Sequence, residues 1–134
     1  MDQFNRMLAR FEPMVLSIFR IMVGLLLLQY GVAKLFKFPV VPAFANVTPT
    51  SLFGIAGMIE LIFGALLILG LGTRLAAFIL SGEMAVGYFY SHFPKDYHPL
   101  VNGGTLAALY CFTCLYLSTA GAGPWSIDAK NNQA

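Results

Sequence analysis

The sequence predicts an all-α protein: a bundle of four transmembrane helices, preceded by a short amphipathic helix in the membrane interface. Only 10% of its 134 residues are charged and 58% are hydrophobic, whereas about a quarter of the residues in a soluble domain are charged. Four apolar segments, residues 14–36, 52–71, 75–93 and 100–120, are each near the roughly 20 residues that a helix needs to cross hydrocarbon. We therefore expect a single integral-membrane domain over residues 1–134. The alternative is a bundle buried inside a larger soluble complex.

Composition also excludes several other classes of protein. The formal net charge of +2 is small and scattered, so the chain lacks the basic face that nucleic-acid binding requires. Two cysteines do not make a disulfide framework. Membrane β-strands are also excluded, because they need only about 10 residues of alternating polarity.

The N-terminal segment, residues 2–12, has the pattern of an interfacial helix. Its apolar residues fall at helical spacing and its arginines lie on another side: Phe4, Met7, Leu8 and Phe11 against Arg6 and Arg10. Pro13 is expected to separate it from the first span. A frayed polar terminus is the alternative. A cleaved signal peptide is disfavoured, because the apolar stretch exceeds the roughly 7–15 residues of a signal core.

The connections between the spans differ in length and composition. Residues 37–51 hold three prolines, which exclude a regular helix, and Thr50 or Ser51 can cap the second span. Residues 70–73 allow only a tight turn, and residues 94–99 form the third loop. Lys and Arg near the span ends number four on the side of the termini and three on the other, which favours cytoplasmic termini.

Two acidic residues interrupt the apolar runs. Glu60 and Glu83 each lie about 13 Å into a span, where a charge costs roughly 2.5–3.5 kcal/mol on insertion scales. Lipid cannot solvate a carboxylate, so both side chains are expected to face neighbouring helices. Residues three or four apart share one face of a helix, and we call each such row of residues a stripe. On the stripe of each glutamate a glycine or alanine lies one turn away, and small residues let membrane helices approach closely. The stripes of the four predicted spans are, from the first to the fourth, Arg20, Gly24, Gly31 and Lys34; Ala56, Glu60, Gly64 and Leu67; Glu83, Gly87 and Tyr90; and Asn102, Leu106, Leu109, Thr113 and Tyr116.

Glu60, Glu83 and Arg20 form the candidate intramembrane polar cluster. Arg20 lies at a similar depth and is expected to pair with one glutamate, which leaves the other to take up a proton. Such charges either fix helix packing alone, or form a proton-handling or ligand-orienting site in the bundle core. The sequence leaves both interpretations open.

The remaining chemically active side chains predict no metal site and no redox site. Cys111 and Cys114 lie near the middle of the fourth span, where buried cysteine behaves as a small hydrophobe. His92 and His98 flank one short loop, which suits neither haem ligation nor a zinc site, since zinc needs more ligands. His92 is expected to form hydrogen bonds near the membrane surface.

Several short motifs, in order and spacing, resemble the DoxX family of small four-span membrane proteins. They are Gly31-Val32-Ala33-Lys34, Glu60-Leu61 with Gly64, Gly70-Leu71-Gly72-Thr73-Arg74, His92, Asn102-Gly103-Gly104, and Gly123-Pro124-Trp125-Ser126-Ile127-Asp128. Members often carry an acid directly after Asn-Gly-Gly, and here that position is Thr105, so a role for that acid does not transfer. The resemblance implies a bacterial inner-membrane protein linked to redox metabolism. Some relatives look like small subunits of a thiosulfate:quinone oxidoreductase, and others scaffold soluble redox enzymes.

The leading functional hypothesis is a membrane subunit of a redox or detoxification system that contacts quinone in the bundle core. Glu60 and Glu83 would exchange protons with the quinone, and Arg20 would balance their charge. Lys34 and Asn102, with His92 as a further binding residue, would shape the mouth of the cavity.

The rival hypotheses are a small-molecule transporter or channel and a non-catalytic scaffold. Expected partners are the lipid bilayer, soluble or membrane redox enzymes, and a second copy of the chain. The resemblance transfers no catalytic residue, so enzymatic activity stays open.

Overall fold

The N-terminal segment and the first apolar run form two consecutive helices. The computed structural model describes residues 1–134 and contains seven α-helices and no strand. Helix α1, Asp2–Arg10, buries no residue, and α2 follows at Glu12–Phe36. Pro13 does not separate them as expected. It lies in the first turn of α2. Backbone N–H groups in the first turn form no hydrogen bond within the helix, so proline is tolerated there. The chain turns at Phe11 instead.

A lysine holds the loop after α2 in place. Lys37 adopts a left-handed conformation with φ 59°, and its ammonium donates to the carbonyls of Lys34 (2.9 Å), Phe44 (2.8 Å) and Val47 (2.5 Å). The loop contains one 3₁₀ turn, Pro42–Phe44. These three bonds therefore fix the chain that connects α2 to the next helix.

The second and third apolar runs form a helical hairpin. Helix α3, Leu52–Leu69, begins with Ser51 as its cap, as the sequence predicts: the hydroxyl accepts from the amide of Gly54 at 3.1 Å. After a tight turn, α4 covers Thr73–Gly87 and continues directly into a π-helical turn, Tyr88–His92. A short 3₁₀ turn, Phe93–Lys95, follows.

The fourth apolar run is not one helix, which corrects the predicted span of residues 100–120. Helix α5, Pro99–Asn102, ends at Gly103, whose φ is +75°, a conformation that glycine adopts without steric cost. Helix α6, Thr105–Ala120, then begins as a separate helix. The side chain of Asn102 stabilises this break by accepting from the Gly104 amide at 2.8 Å.

Helices α2 and α3 have the length and apolarity of membrane spans, with 25 and 18 residues, whereas α6 is apolar but shorter. The long helices pack as two tight pairs, α2 with α3 and α4 with α6, and α3 joins α4 less extensively. Near the chain termini the pairs share a hydrophobic core: Val23, Leu27, Leu67, Ala76, Ala77, Leu80, Met84, Cys114 and Leu117. The other half of the bundle is not filled in this way.

Candidate functional site

A cavity of about 660 Å³ lies between α2, α3, α4 and α6 in the half of the bundle away from the termini. Most of its lining residues are hydrophobic. Its volume falls within the range of small-molecule sites, about 300–1,000 Å³. Its polar and aromatic lining includes Tyr30, Lys34, Phe44, Glu60, Glu83, Tyr90, His92, Lys95 and Tyr110.

A buried ion pair forms the inner wall of this cavity on the α2–α3 side. The ammonium of Lys34 lies 2.9 Å and 3.2 Å from the two carboxylate oxygens of Glu60, and both side chains are almost fully buried. The ammonium also lies 6.0 Å from the ring centre of Tyr30 and 5.5 Å from that of Phe44, within the range of cation–π attraction. Lys34 is therefore a fixed cation held from three sides.

Glu83 faces the ion pair from α4. Its carboxyl group lies close enough to that of Glu60 for the two to interact directly. Its Oε1 atom is buried and has no hydrogen-bond partner in the protein. Since buried polar atoms almost always have a partner, this oxygen is a position at which a ligand in the cavity could form a hydrogen bond.

Arg20 does not belong to this cluster, and the expected pairing with a glutamate is wrong. Its guanidinium contacts the carbonyls near the end of α3, donating to Leu67 at 2.8 Å and to Ile68 at 3.5 Å. Glu60 lies two helical turns earlier, about 10 Å away along the axis. The partner of Glu60 is instead Lys34, which was expected at the mouth of the cavity. The long stem of lysine lets its charge reach inward from the end of a helix.

The C-terminal segment completes the environment of Arg20. The guanidinium also donates to the carbonyl of Ala122 and, at 2.8 Å, to the carbonyl of Trp125. The segment thus folds back against the bundle and adds a short helix, α7, Ile127–Lys130. Arg20 is fully buried, and backbone oxygens rather than carboxylates solvate it.

Asp128 fixes the same segment to the hairpin turn. Its carboxylate accepts from the amides of Gly72 at 2.9 Å and Thr73 at 2.8 Å, and so caps the start of α4 from a distant part of the chain. Burial opposes ionisation of Asp128, but these amides and the charge of Arg20 together hold its pKa below the usual value. The sequence analysis missed this role, and the only signal was the acid within the Trp-Ser-Ile-Asp motif.

His92 and Asn102 lie at the loop end of the cavity. His92 lines it, and its Nδ1 is 3.1 Å from the Asn102 carbonyl. Asn102 is buried and does not line the cavity. Its amide donates to the hydroxyl of Tyr88 at 3.1 Å and to the carbonyl of Asp96 at 3.0 Å. Asn102 therefore holds the loop together, and of the three expected mouth residues Lys34 and His92 line the cavity whereas Asn102 does not.

Residues that the sequence analysis did not select complete the cavity. Phe44 reaches it from the proline-rich loop, and Tyr110 and Leu106 reach it from α6. A single aromatic residue in a loop carries no pattern that predicts contact with a buried lysine. No group of three or more His, Cys, Asp and Glu side chains is arranged to hold a metal ion.

Two helices are long and apolar enough to cross a membrane, and comparison with known proteins identifies the family. The DoxX family profile matches residues 15–93. An uncharacterized protein of Haemophilus influenzae is 40% identical over 127 residues, covering 92% of this chain and 95% of that protein. A second uncharacterized protein of the same organism is 37% identical over 93 residues, covering 69% and 58%. No solved structure matches the chain. The chain belongs to the DoxX family and contacts membrane lipid.

Proposed function

We propose that the protein is a single-domain, multi-pass protein of the bacterial inner membrane, with four spans and both termini in the cytoplasm. Helices α2 and α3 supply two spans, and α4 with its π-helical turn supplies the third. Helix α6 has 16 residues, about 24 Å of helix against about 30 Å of hydrocarbon, so α5 and the Gly103–Gly104 break complete the fourth. The excess of Lys and Arg on the side of the termini supports this orientation.

We propose that the cavity binds a quinone, and that the protein is a component of a redox or detoxification system. The observation that carries this proposal is the unpartnered oxygen of Glu83 inside a largely apolar cavity at membrane depth. A quinone has the matching chemistry, since its ring and tail are apolar and its two oxygens form hydrogen bonds. The apolar walls would hold the ring, and Glu83 in its protonated form would donate a hydrogen bond to one oxygen.

The three ionisable groups suit the proton part of quinone chemistry. Reduction of a quinone to a quinol takes up two electrons and two protons. In this proposal a soluble or membrane redox enzyme supplies the electrons, and Glu60 and Glu83 pass the protons. Lys34 would hold Glu60 in place and stabilise negative charge on the nearer quinone oxygen.

The test is equilibrium binding of decylubiquinone, a benzoquinone with a ten-carbon tail, to the purified protein in mild detergent. We expect Glu83→Leu, which removes the hydrogen-bond donor, to weaken binding by about two- to tenfold, since a hydrogen bond between neutral groups contributes about 0.5–1.5 kcal/mol. Glu12→Leu is the matched control, because Glu12 is an exposed acid outside the cavity.

Three results would contradict the proposal. The first is no binding to the wild type, and the second is equal binding by Glu83→Leu and the wild type. The third is uptake of a small acid into liposomes without quinone binding, which would favour the transporter hypothesis instead. Native mass spectrometry of the same sample would report the number of subunits and any quinone that is retained during purification.

A further inference from the structure

We infer that the ligand enters and leaves the cavity sideways, directly from the hydrocarbon, through an opening between α3 and α4 that Gly82 and Gly87 keep free. This inference rests on the proposed function, because it concerns a ligand that is dissolved in the membrane. It assigns a role to two glycines that do not pack against another helix.

The two helices leave room between them. Helices α3 and α4 are joined by a tight turn near the termini, but they pack on each other less than either packs on its other neighbour. Beyond the shared core, both line the cavity with the halves that lie away from the turn, through residues 52–60 of α3 and residues 79–87 of α4. The gap between them is therefore part of the cavity.

The glycines of α4 lie at this gap and touch nothing across it. A Cβ atom added at Gly82 or Gly87 would meet no atom within 4 Å. Both residues line the cavity, and Glu83 lies between them in sequence. A glycine that serves close helix packing behaves differently, since a Cβ at Gly31 would lie 2.6 Å from the Gly57 carbonyl oxygen. Gly82 and Gly87 instead leave an open path to Glu83.

The edges of the gap are suited to hydrocarbon. Ile55 on α3 and Val86 on α4 both line the cavity, yet 50% and 64% of their surfaces are exposed. Exposed aliphatic side chains at this depth face lipid tails, so lipid and cavity are continuous there. A quinone could thus bring its head to Glu83 while its tail stays in the bilayer.

The loop end of the cavity is more obstructed. Phe44 lies over the Lys34 ammonium, and Lys37 holds its loop through three carbonyls. Movement of the loop would have to break several of these bonds. The lateral route requires no such change.

Stopped-flow kinetics in proteoliposomes can separate the two routes. All variants carry Tyr110→Trp, which places a tryptophan in the cavity that bound decylubiquinone would quench. We expect Gly82→Leu and Gly87→Leu to slow both association and dissociation by about tenfold, because the ligand would pass the narrowed opening in both directions. Gly82→Ala should have a smaller effect, and thermal unfolding would confirm that each variant is folded.

Two controls place leucine elsewhere. Gln29→Leu lies on an exposed position of α2 outside the cavity, and Ala43→Leu adds bulk at the loop end of the cavity. Neither should slow association. If Ala43→Leu slowed it and the glycine variants did not, or if the glycine variants changed only the affinity, the lateral route would be wrong. Absence of quenching in the Tyr110→Trp parent, together with no equilibrium binding to the wild type, would instead contradict the proposed function.

Discussion

At the scale of single residues, α2 holds two buried cations whose charges are stabilised in different ways. Lys34 pairs with Glu60, whereas Arg20 is solvated by backbone carbonyls. The five N–H donors of a guanidinium can bind several carbonyls at once, but a lysine presents a compact charge that suits one carboxylate. The two cations therefore serve different halves of the bundle. Lys34 borders the cavity, and Arg20 closes the opposite end.

Asp128 supplies a testable pH dependence at this scale. Its folded pKa lies below the unfolded value of about 3.9, so the unfolded state binds more protons and stability falls as the pH drops through the folded pKa. We expect Asp128→Asn to lower stability by about 1–3 kcal/mol at neutral pH, the cost of weakening hydrogen bonds to buried amides.

Thermal unfolding in detergent across pH 3–7 would measure this effect, because this range includes the unfolded pKa of Asp, about 3.9. The difference between the wild type and Asp128→Asn should be largest above about pH 4 and should narrow below it. Asp2→Asn in α1, where nothing is buried, is the control. A difference that stays constant down to pH 3 would show that the charge of Asp128 does not contribute.

The sequence predicted the positions of the buried charges better than their partners. Glu60, Lys34 and Arg20 are all buried, as a lone charge on a glycine-bearing stripe predicts. The partner of each depends on tertiary structure. The length of the Lys34 side chain allowed a deeper position than its place in sequence suggested. The carbonyls that bind Arg20 are properties of the backbone, and backbone carbonyls have no sequence signal.

At the scale of elements, glycines bring α2 and α3 into contact. A Cβ added at Gly31 would lie 2.6 Å from the Gly57 carbonyl oxygen and 2.7 Å from the Leu61 amide nitrogen. A Cβ at Gly24 would lie 2.8 Å from the Gly64 carbonyl oxygen. The backbones therefore approach at two levels, which is how membrane helices associate without a hydrophobic driving force.

The pair of variants Gly31→Ala and Gly82→Ala tests this contact. Gly31→Ala should destabilise the protein by about 1–3 kcal/mol, because the methyl group meets backbone atoms that cannot move independently. Gly82→Ala meets open space and should change stability by at most about 1 kcal/mol, towards stabilisation. Unfolding temperatures of the purified variants would decide. Equal effects would show that helix propensity, rather than close contact, sets the response.

The inward faces of α2 and α3 were predicted from their stripes, and the stripe of Glu83, Gly87 and Tyr90 lines the cavity, but the stripe of α6 was partly wrong. In α6 the buried residues are Cys114 and Leu117, whereas Leu109 and Tyr116 are largely exposed. The predicted stripe assumed one helical phase from Asn102 onward. The break at Gly103 resets that phase, and Leu109 and Tyr116 were therefore assigned to the wrong face. In α4 the tightly packed side chains are Leu80 and Met84, and Glu83 faces the cavity instead.

At the scale of the whole molecule, the bundle is asymmetric along its axis. The half near the termini is filled by the hydrophobic core and closed by Arg20 and the C-terminal segment. The other half holds the cavity and its polar groups. This asymmetry disfavours a continuous pore through the bundle and favours a site that exchanges ligand on one side of the core.

The proposed topology is testable with reporter fusions. Alkaline phosphatase, which folds only in the periplasm, should be active when fused within the third loop after Asp96 and inactive when fused after Ala134. A green fluorescent protein should give the reverse pattern. The reason is that four spans return the chain to its starting side, with more Lys and Arg there. Alkaline phosphatase activity at both positions would place Asp96 and Ala134 on the same side of the membrane and would contradict the fourth span.

The contacts of Arg20 also set an order for biogenesis. The guanidinium enters the membrane with α2, but Leu67 follows 47 residues later and Trp125 follows 105 residues later. During translation the arginine must therefore rely on water, lipid phosphates or the insertion machinery. Maturation of an early helix then waits for the ribosome to deliver a distant segment, so the nascent bundle stays incomplete until that segment has docked.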